Sequence, residues 1–302
     1  MIIHQDMLAS IGNTPMVRLA KLAPPGSRIL LKLEYLNPSG SHKDRIALYM
    51  IRDAEEKGLL RPGGLVVEES SGNTGIAVAM VARLKGYRAV IVVPRGGVSR
   101  EKVKVMEMLG ARVVEGSTNE DDPDYVEKLA ENIAEREEGV FLHQAANKAN
   151  IKAHFETTGP EIWVQTRGQV DAFVMGVGTG GTITGVGRFL RMMKPEVRIV
   201  AVTPRGSALS GRQAENPDRI EGLASGGIPE NLDKGIVDEI IPVGFEEALS
   251  MAKRLALEEG IFAGVSTGAH VIAALKVARE LGPGKTIVTV AADSILRYTS
   301  LL

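Results

Sequence analysis

The chain has 302 residues, 44% of them hydrophobic and 24% charged, with 36 Lys and Arg against 37 Asp and Glu and a formal net charge of −1. That balance excludes the basic excess of a nucleic-acid binder and the acidic run of a disordered tail, and the length suits two compact lobes or one large α/β unit. The absence of cysteine removes disulfides, thiolate nucleophiles and Cys-ligated metals. No run of 18 apolar residues suggests a membrane span, residues 1–10 lack the apolar stretch of a signal peptide, and a cytoplasmic location is the default expectation.

In chain order, Ile11-Gly12-Asn13-Thr14-Pro15 reads as a turn before a short apolar run at 16–19, and 29–34 as a strand. Residues 44–58 have helical spacing and close at Gly58. A strand at 65–68 leads into the loop Ser70-Ser71-Gly72-Asn73-Thr74-Gly75, followed by a helix over 76–85 that ends at Gly86. Strand 89–93, helix 100–109, strand 111–114, helix 124–137 and strand 140–142 then lead to His143-Gln144.

The second half continues the alternation. It reads as helix 157–166 with the only Trp, Trp163, strand 172–177, helix 185–193 and strand 199–202. Residues 204–236, rich in Gly, Pro and Ser, read as a long active-site or lid loop. An edge-like strand at 240–243, helices at 245–259 and 269–281 and a strand at 286–291 complete the chain. The strands are near-continuous Val/Ile/Leu runs, the signature of parallel sheets covered on both faces, so the fold class is α/β.

Four stretches carry candidate chemistry. Lys43 follows Asn37-Pro38-Ser39-Gly40-Ser41-His42 where a helix begins. The positive end of a helix dipole, together with burial, disfavours an ammonium and makes the amine a better nucleophile; a lysine beside Asp44 and Arg45 also fits a solvated helix start. The first glycine loop offers hydroxyls at Ser70, Ser71 and Thr74 and the Asn73 amide, a set suited to a carboxylate, or else a helix cap from Ser71 or Asn73. The second, Gly176-Val177-Gly178-Thr179-Gly180-Gly181-Thr182, is an anion cradle whose glycines admit a phosphate. It also satisfies GxGxxG, but no acidic residue ends the next strand to hold a ribose. The third, 263–269, carries Ser266 at a helix mouth, where a Ser is commonly a cap. No histidines pair at metal-ligand spacing, so no metal is expected.

Together these motifs resemble the pyridoxal-phosphate enzymes of the tryptophan synthase β-like family (fold type II), and within it the cysteine synthase (O-acetylserine sulfhydrylase) group. The resemblance runs through IGNTPMVRL (11–19), LKLEYLNPSGSHKDR (31–45), EESSGNTGIAVAM (68–80), TTGPEIW (157–163), GVGTGGTITGVGR (176–188), EGIFAGVSTGA (259–269) and RYTSLL (297–302). It implies two three-layer lobes with mostly parallel sheets, a smaller mobile one at 35–145 and a larger one combining 1–34 with 146–302.

It also implies that Lys43 links to the cofactor pyridoxal 5′-phosphate and moves the Cα proton, and that Asn73 bonds the cofactor 3′ oxygen. Ser71, Gly72, Thr74 and Gln144 would bind the substrate carboxylate, Gly178, Thr179, Gly180, Gly181 and Thr182 the phosphate, and Ser266 the ring nitrogen. A neutral hydroxyl at that nitrogen weakens the electron sink and favours β-replacement over transamination. The implied reaction makes L-cysteine from O-acetyl-L-serine and sulfide through an aminoacrylate, with ping-pong kinetics. The implied assembly is a homodimer, with the C-terminus of serine acetyltransferase as a further partner.

The chain departs from that pattern at Ala145 and Ala146 after Gln144, at His42, and at Asp293-Ser294. Arg205 and Arg212 in the long loop suggest O-phosphoserine or thiosulfate as alternative substrates. Cystathionine β-synthase-like condensation, Ser/Thr dehydration, a cofactor-bearing scaffold that binds a partner tail, and a nucleotide-binding oxidoreductase are the other readings.

Overall fold

Apolar runs become strands and amphipathic runs become helices in the computed structural model, which describes residues 3–211, 216–224 and 226–301. Arg212 therefore lies outside the described residues. Early in the chain come β1 (Met16–Arg18), β2 (Arg28–Leu33) and α1 (Lys43–Glu56). Next, β3 (Leu65–Glu69), α2 (Asn73–Lys85), β4 (Arg88–Pro94), α3 (Arg100–Met108), β5 (Arg112–Gly116), α4 (Val126–Arg136) and β6 (Val140–Phe141) alternate. Then α5 (Lys148–Ala153) runs through a π-helical turn, His154–Thr158, into α6 (Gly159–Thr166). The remainder is β7 (Ala172–Gly176), α7 (Gly181–Met193), β8 (Arg198–Pro204), β9 (Glu239–Val243), α8 (Phe245–Arg254), α9 (Val265–Leu281) and β10 (Thr286–Ala291).

Two compact units result: a smaller one of Met1–Ile11 and Lys43–Asn150, and a larger one of Gly12–His42 and Ile151–Leu302. Residues 35–42, placed with the smaller lobe by the sequence, fall in the larger unit. Polar contacts hold them there: Asn37 Oδ1 accepts from the Gly12 amide at 2.8 Å, Ser41 bridges Asp293, and the His42 amide donates to the Ala292 carbonyl at 2.9 Å.

The smaller unit is built on a four-stranded sheet, β5-β4-β3-β6, parallel throughout. One face packs Leu65, Val67, Val90 and Val92 against Val126, Ala130 and Ala134 of α4. The larger unit's six strands run β1-β2-β10-β7-β8-β9, parallel except for β1 against β2. Alternation divides its core: Ile29, Leu31, Val200, Val202 and Ile287 pack with α8 and α9, while Leu30, Ile199, Ala201, Val288 and Val290 pack with α6 and α7. Period-two side chains on strands apolar in every position demand a helical layer on each face. No helix among the described residues is long and apolar enough to cross a membrane.

Three helices begin earlier than their sequences suggest. α2 starts at Asn73 rather than 76, α7 at Gly181 rather than 185, and α9 at Val265 rather than 269. Gly, Ser, Thr and Asn are weak helix formers, so propensity reads these turns as loop. Among the described residues of 204–236, expected to be irregular, there are two short 3-10 turns, Ala208–Ser210 and Lys234–Ile236.

Candidate active site

In the smaller unit Lys43 is the first residue of α1 and is half-buried, while Asp44 and Arg45 beside it are buried, at 0% and 2% exposure. A solvated helix start would expose that pair, so the bland reading of the lysine fails. Lys32 offers an instructive contrast from the larger unit. It too is buried, but its Nζ is committed to Glu161 at 2.7 Å, the Thr14 carbonyl at 2.9 Å and Gln165 at 3.1 Å. Three fixed acceptors give it a structural task.

At the start of α2 the cap comes from neither Ser71 nor Asn73. Buried Ser70 accepts from the amides of Gly72 at 3.1 Å and Gly75 at 2.9 Å. That arrangement leaves Ser71 exposed and Asn73 half-buried in the first turn. The Thr74 hydroxyl donates to Gln144 Oε1 at 2.7 Å, and Gln144 Nε2 donates to the Glu69 carbonyl at 3.1 Å. Thr74 and Gln144, 70 residues apart, are thus brought together on one network.

Beneath that network lie two carboxyls that sequence reasoning did not single out. Glu68 is fully buried, and its Oε1 accepts from the Gln144 amide at 3.4 Å. Burial and the neighbouring Glu69 raise its pKa well above the ordinary carboxylate value, against an opposing pull from Lys43. Glu69 is raised to about 7 by burial and by the charge of Glu127. Their signal was visible as two acids ending an otherwise apolar strand.

In the larger unit the second glycine loop joins β7 to α7. A Cβ at Gly178 would collide with the Gly222 carbonyl, and one at Gly176 with Leu223 and His270. Gly180 has φ +82, in the left-handed region, and a Cβ there would lie 2.6 Å from the Leu232 amide. As N-cap it supplies no side-chain acceptor to α7. A cradle that excludes a Cβ at these three glycines and leads to a helix start without a side-chain cap suits an anion's oxygens. Thr182, in the first turn, is held by His154 Nε2 at 3.1 Å.

Ser266 occupies the first turn of α9, where the N-cap is Gly264 and no side chain caps the helix. Ser266 is therefore not the cap that its position suggested. The following Thr267 accepts from the Ala292 amide at 3.2 Å, and Gly264 donates to the Asp293 carbonyl at 2.9 Å. Tyr298 donates its hydroxyl to Asp293 Oδ2, and burial with that carboxyl raises the phenol pKa well above its usual value. Ser294 instead caps a 3-10 turn through the Leu296 amide at 3.2 Å. Arg205 donates to Glu247 at 2.9 Å at the start of α8, and both side chains are exposed.

Comparison with known proteins decides between the chemistries these loops permit. Residues 7–293 match the family model described as pyridoxal-phosphate dependent enzyme. The chain belongs to that family. The enzyme is 43% identical to a cysteine synthase of Staphylococcus aureus over 293 residues, 96% of this chain and 94% of that one. It is 42% identical to cysteine synthase 1 of Emericella nidulans, covering 97% and 83%. Among solved structures, an O-ureido-L-serine synthase superposes with TM-score 0.94 at 40% identity, covering 99% of this chain and 94% of that one. The cysteine synthase of Entamoeba histolytica does so with TM-score 0.92 at 37%, covering 99% and 91%. The cofactor is pyridoxal 5′-phosphate, and the glycine cradle at the uncapped start of α7 fits its phosphate. These comparisons also bear out the fold expected from the sequence, an α/β protein with mostly parallel sheets.

Proposed function

We propose that the enzyme carries out β-replacement on an activated serine, making L-cysteine from O-acetyl-L-serine and sulfide. The observation that carries this reading is the Thr74–Gln144 pair at the first turn of α2. A hydroxyl and a carboxamide held at a helix start, with Ser71 exposed beside them, form a receptor for the carboxylate of an amino-acid substrate. The cysteine synthase relatives, similar over nearly the whole chain, supply the reaction class.

Bound pyridoxal phosphate supplies an electron sink for the pair left when the Cα proton departs. In this reading Lys43 would hold the cofactor and move that proton. Asn73 would bond the cofactor 3′ oxygen, and Ser71, Gly72, Thr74 and Gln144 would bind the substrate carboxylate. Gly178, Thr179, Gly180, Gly181 and Thr182 would take the phosphate, and Ser266 the ring nitrogen. A hydroxyl there does not hold that nitrogen protonated as a carboxylate would, which favours loss of a β-substituent. Engagement of Arg205 by Glu247 removes one reason to prefer a phosphorylated donor. We further assign a homodimer whose carboxylate-reading groups also accept the C-terminus of serine acetyltransferase, checked by sedimentation and by competition with substrate.

A second reading rests on the 40%-identical O-ureido-L-serine synthase: the product would be that β-substituted serine. The half-buried Ala145 and Ala146 that follow Gln144 have small side chains, compatible with a larger nucleophile.

The test is sulfide-dependent cysteine formation from O-acetyl-L-serine by the reconstituted enzyme and by Lys43→Ala. A loss of about 10³-fold or more is expected in the variant, together with loss of the borohydride-fixed cofactor mass on the Lys43 peptide. Cofactor fixed to another lysine, or a variant with undiminished turnover, would sink the assignment. O-ureido-L-serine formation outrunning cysteine formation would favour the second reading.

A further inference from the structure

One residue of the smaller unit, His143, turns the chain through a strained conformation. Its φ is +50, in the left-handed region. Glu138 and Arg167 share that region at the ends of α4 and α6, where such a residue is a common way to close a helix. His143 instead follows the strand β6, two residues after Phe141. There an L-residue keeps a positive φ only when its surroundings over-determine it, and such residues cluster at ligand sites.

The surroundings are specific. The His143 ring stacks on Phe141, 4.9 Å between centroids and 11° between planes, and Phe141 packs in turn on the core shared with α4. His143 Nε2 lies 2.9 Å from Glu127 Oε1 in the first turn of α4. Ahead of it, the Leu142 amide still donates to the Val67 carbonyl of β3 at 2.9 Å. Behind it, the His143 carbonyl accepts from the amides of Ala146 at 3.1 Å and Asn147 at 2.9 Å. The Gln144 carbonyl accepts from Asn150 Nδ2 at 2.9 Å. The chain is thus fixed on both sides, and the whole reversal falls on His143.

We propose that His143 is a positioning residue whose left-handed backbone aims the Gln144 carboxamide at the substrate carboxylate; this rests on the carboxylate assignment above. An extended residue at 143 would continue β6, and the Gln144 carboxamide would leave the Thr74 hydroxyl and the Glu69 carbonyl that now hold it. The stack on Phe141 and the tie to Glu127 offset the backbone cost and keep the turn formed before substrate arrives. A turn that relaxes in the free enzyme must be restored on binding. Affinity then falls by the fraction of molecules in which the turn is formed, while the chemical step is untouched.

The test compares His143→Ala with His143→Gly. Both remove the ring and differ by one methyl, but only alanine pays for a positive φ. His143→Ala is expected to raise the KM for O-acetyl-L-serine about 10-fold, the backbone cost expressed as affinity. It should weaken L-alanine, which carries the carboxylate but no leaving group, by the same factor in calorimetric titration of the holoenzyme. The kcat and the apoenzyme affinity for pyridoxal phosphate should not change. His143→Gly, although it removes more of the side chain, should stay within about 3-fold of wild type for both ligands. His143→Asn, a residue that adopts φ > 0 readily, should do the same.

Equal impairment of the Ala and Gly variants would mean that the ring acts by packing alone and overturn the proposal. So would an Ala variant that matches wild type, or one that loses cofactor affinity in the same proportion. Where His143→Ala fails to fold, a 10-fold rise in KM for His143→Asn overturns it instead. Gln144→Leu separates the two layers of the argument. If it binds L-alanine as tightly as wild type, the carboxylate assignment itself falls. If it is weakened while His143→Ala is not, only the positioning role falls.

Discussion

At the start of α2 the turn is secured by a side chain, Ser70, which takes up the Gly72 and Gly75 amides. At the start of α7 no side chain caps the turn, and the glycines preceding it are pressed against neighbouring backbone and side chains. Both segments follow a parallel strand and open a helix, and both combine Gly with hydroxyl residues, yet they offer a ligand different groups. The first presents hydroxyls and carboxamides, which can be exchanged to suit another substrate. The second presents backbone beside the Thr179 and Thr182 hydroxyls, and at Gly176, Gly178 and Gly180 its geometry leaves no room for a Cβ. In the proposed assignment, the loop that would read a variable substrate is built from replaceable parts, and the one that would hold a fixed cofactor from parts that are not.

The comparison breaks most visibly at Gly180. An L-residue at φ +82 costs about 1–2 kcal/mol, and a Cβ 2.6 Å from the Leu232 amide adds overpacking of about 1–3 kcal/mol. Gly180→Ala should therefore lose roughly 2–5 kcal/mol in denaturant titration of the apoenzyme and weaken pyridoxal phosphate binding as well. Full stability in this variant would mean that the cradle is more pliable than its contacts indicate.

Much of this was legible in the sequence, for identifiable reasons. Strand runs such as 172–176 and 286–291 are apolar at every position and can only be central strands. The glycine segments were equally plain, but their helical starts were not: Asn73, Gly181 and Val265 begin helices through weak formers, which tertiary packing alone makes helical. Long-range polar pairing also left no local trace. Lys32 sits in the alternating LKLE pattern that suggests a solvent-facing lysine, yet its partner Glu161 is far along the chain. His154 carries no helical or motif signal that would mark its contact with Thr182, because that contact depends on Gly185, where a Cβ would lie 2.8 Å from His154 Cβ. Glu68 and Glu69 were visible as acids, but the burial that makes them unusual was not.

Acid titration sharpens the same comparison, because the two units carry buried groups shifted in opposite senses. His270 in the larger unit is fully buried, donates from Nδ1 to the Val290 carbonyl at 2.9 Å, and has its pKa lowered by burial to about 4. Its folded value lies below the unfolded one, so its contribution is present above the ordinary histidine value and is lost as pH falls toward about 4. At pH 5 that loss is about 2 kcal/mol. His270→Asn keeps a donor near Nδ1 and removes the titration. Its stability should fall less between pH 7 and pH 5 than that of wild type, whatever the absolute cost of the substitution. An unchanged pH slope would show that His270 does not titrate in this range.

Glu69 should give the opposite slope. Its carboxyl is raised to about 7 by burial and by Glu127, so the folded value lies above the unfolded one. The stability it contributes is complete below the ordinary carboxylate value and is lost as pH rises through about 7. Discounted for its partial exposure, the cost of ionising it at pH 8 is about 1–2 kcal/mol. Glu69→Gln keeps the size of the side chain and cannot ionise. It should therefore match wild type near pH 4.5 and exceed it at pH 8. Because the Glu69 carbonyl anchors Gln144, the same ionisation strains the network that presents Thr74, so the KM for the amino-acid substrate should rise with pH in wild type and less in the variant. If melting temperatures of the two proteins run parallel from pH 4.5 to pH 8, the carboxyl is already ionised in the fold, and the contrast with His270 reduces to one titrating unit.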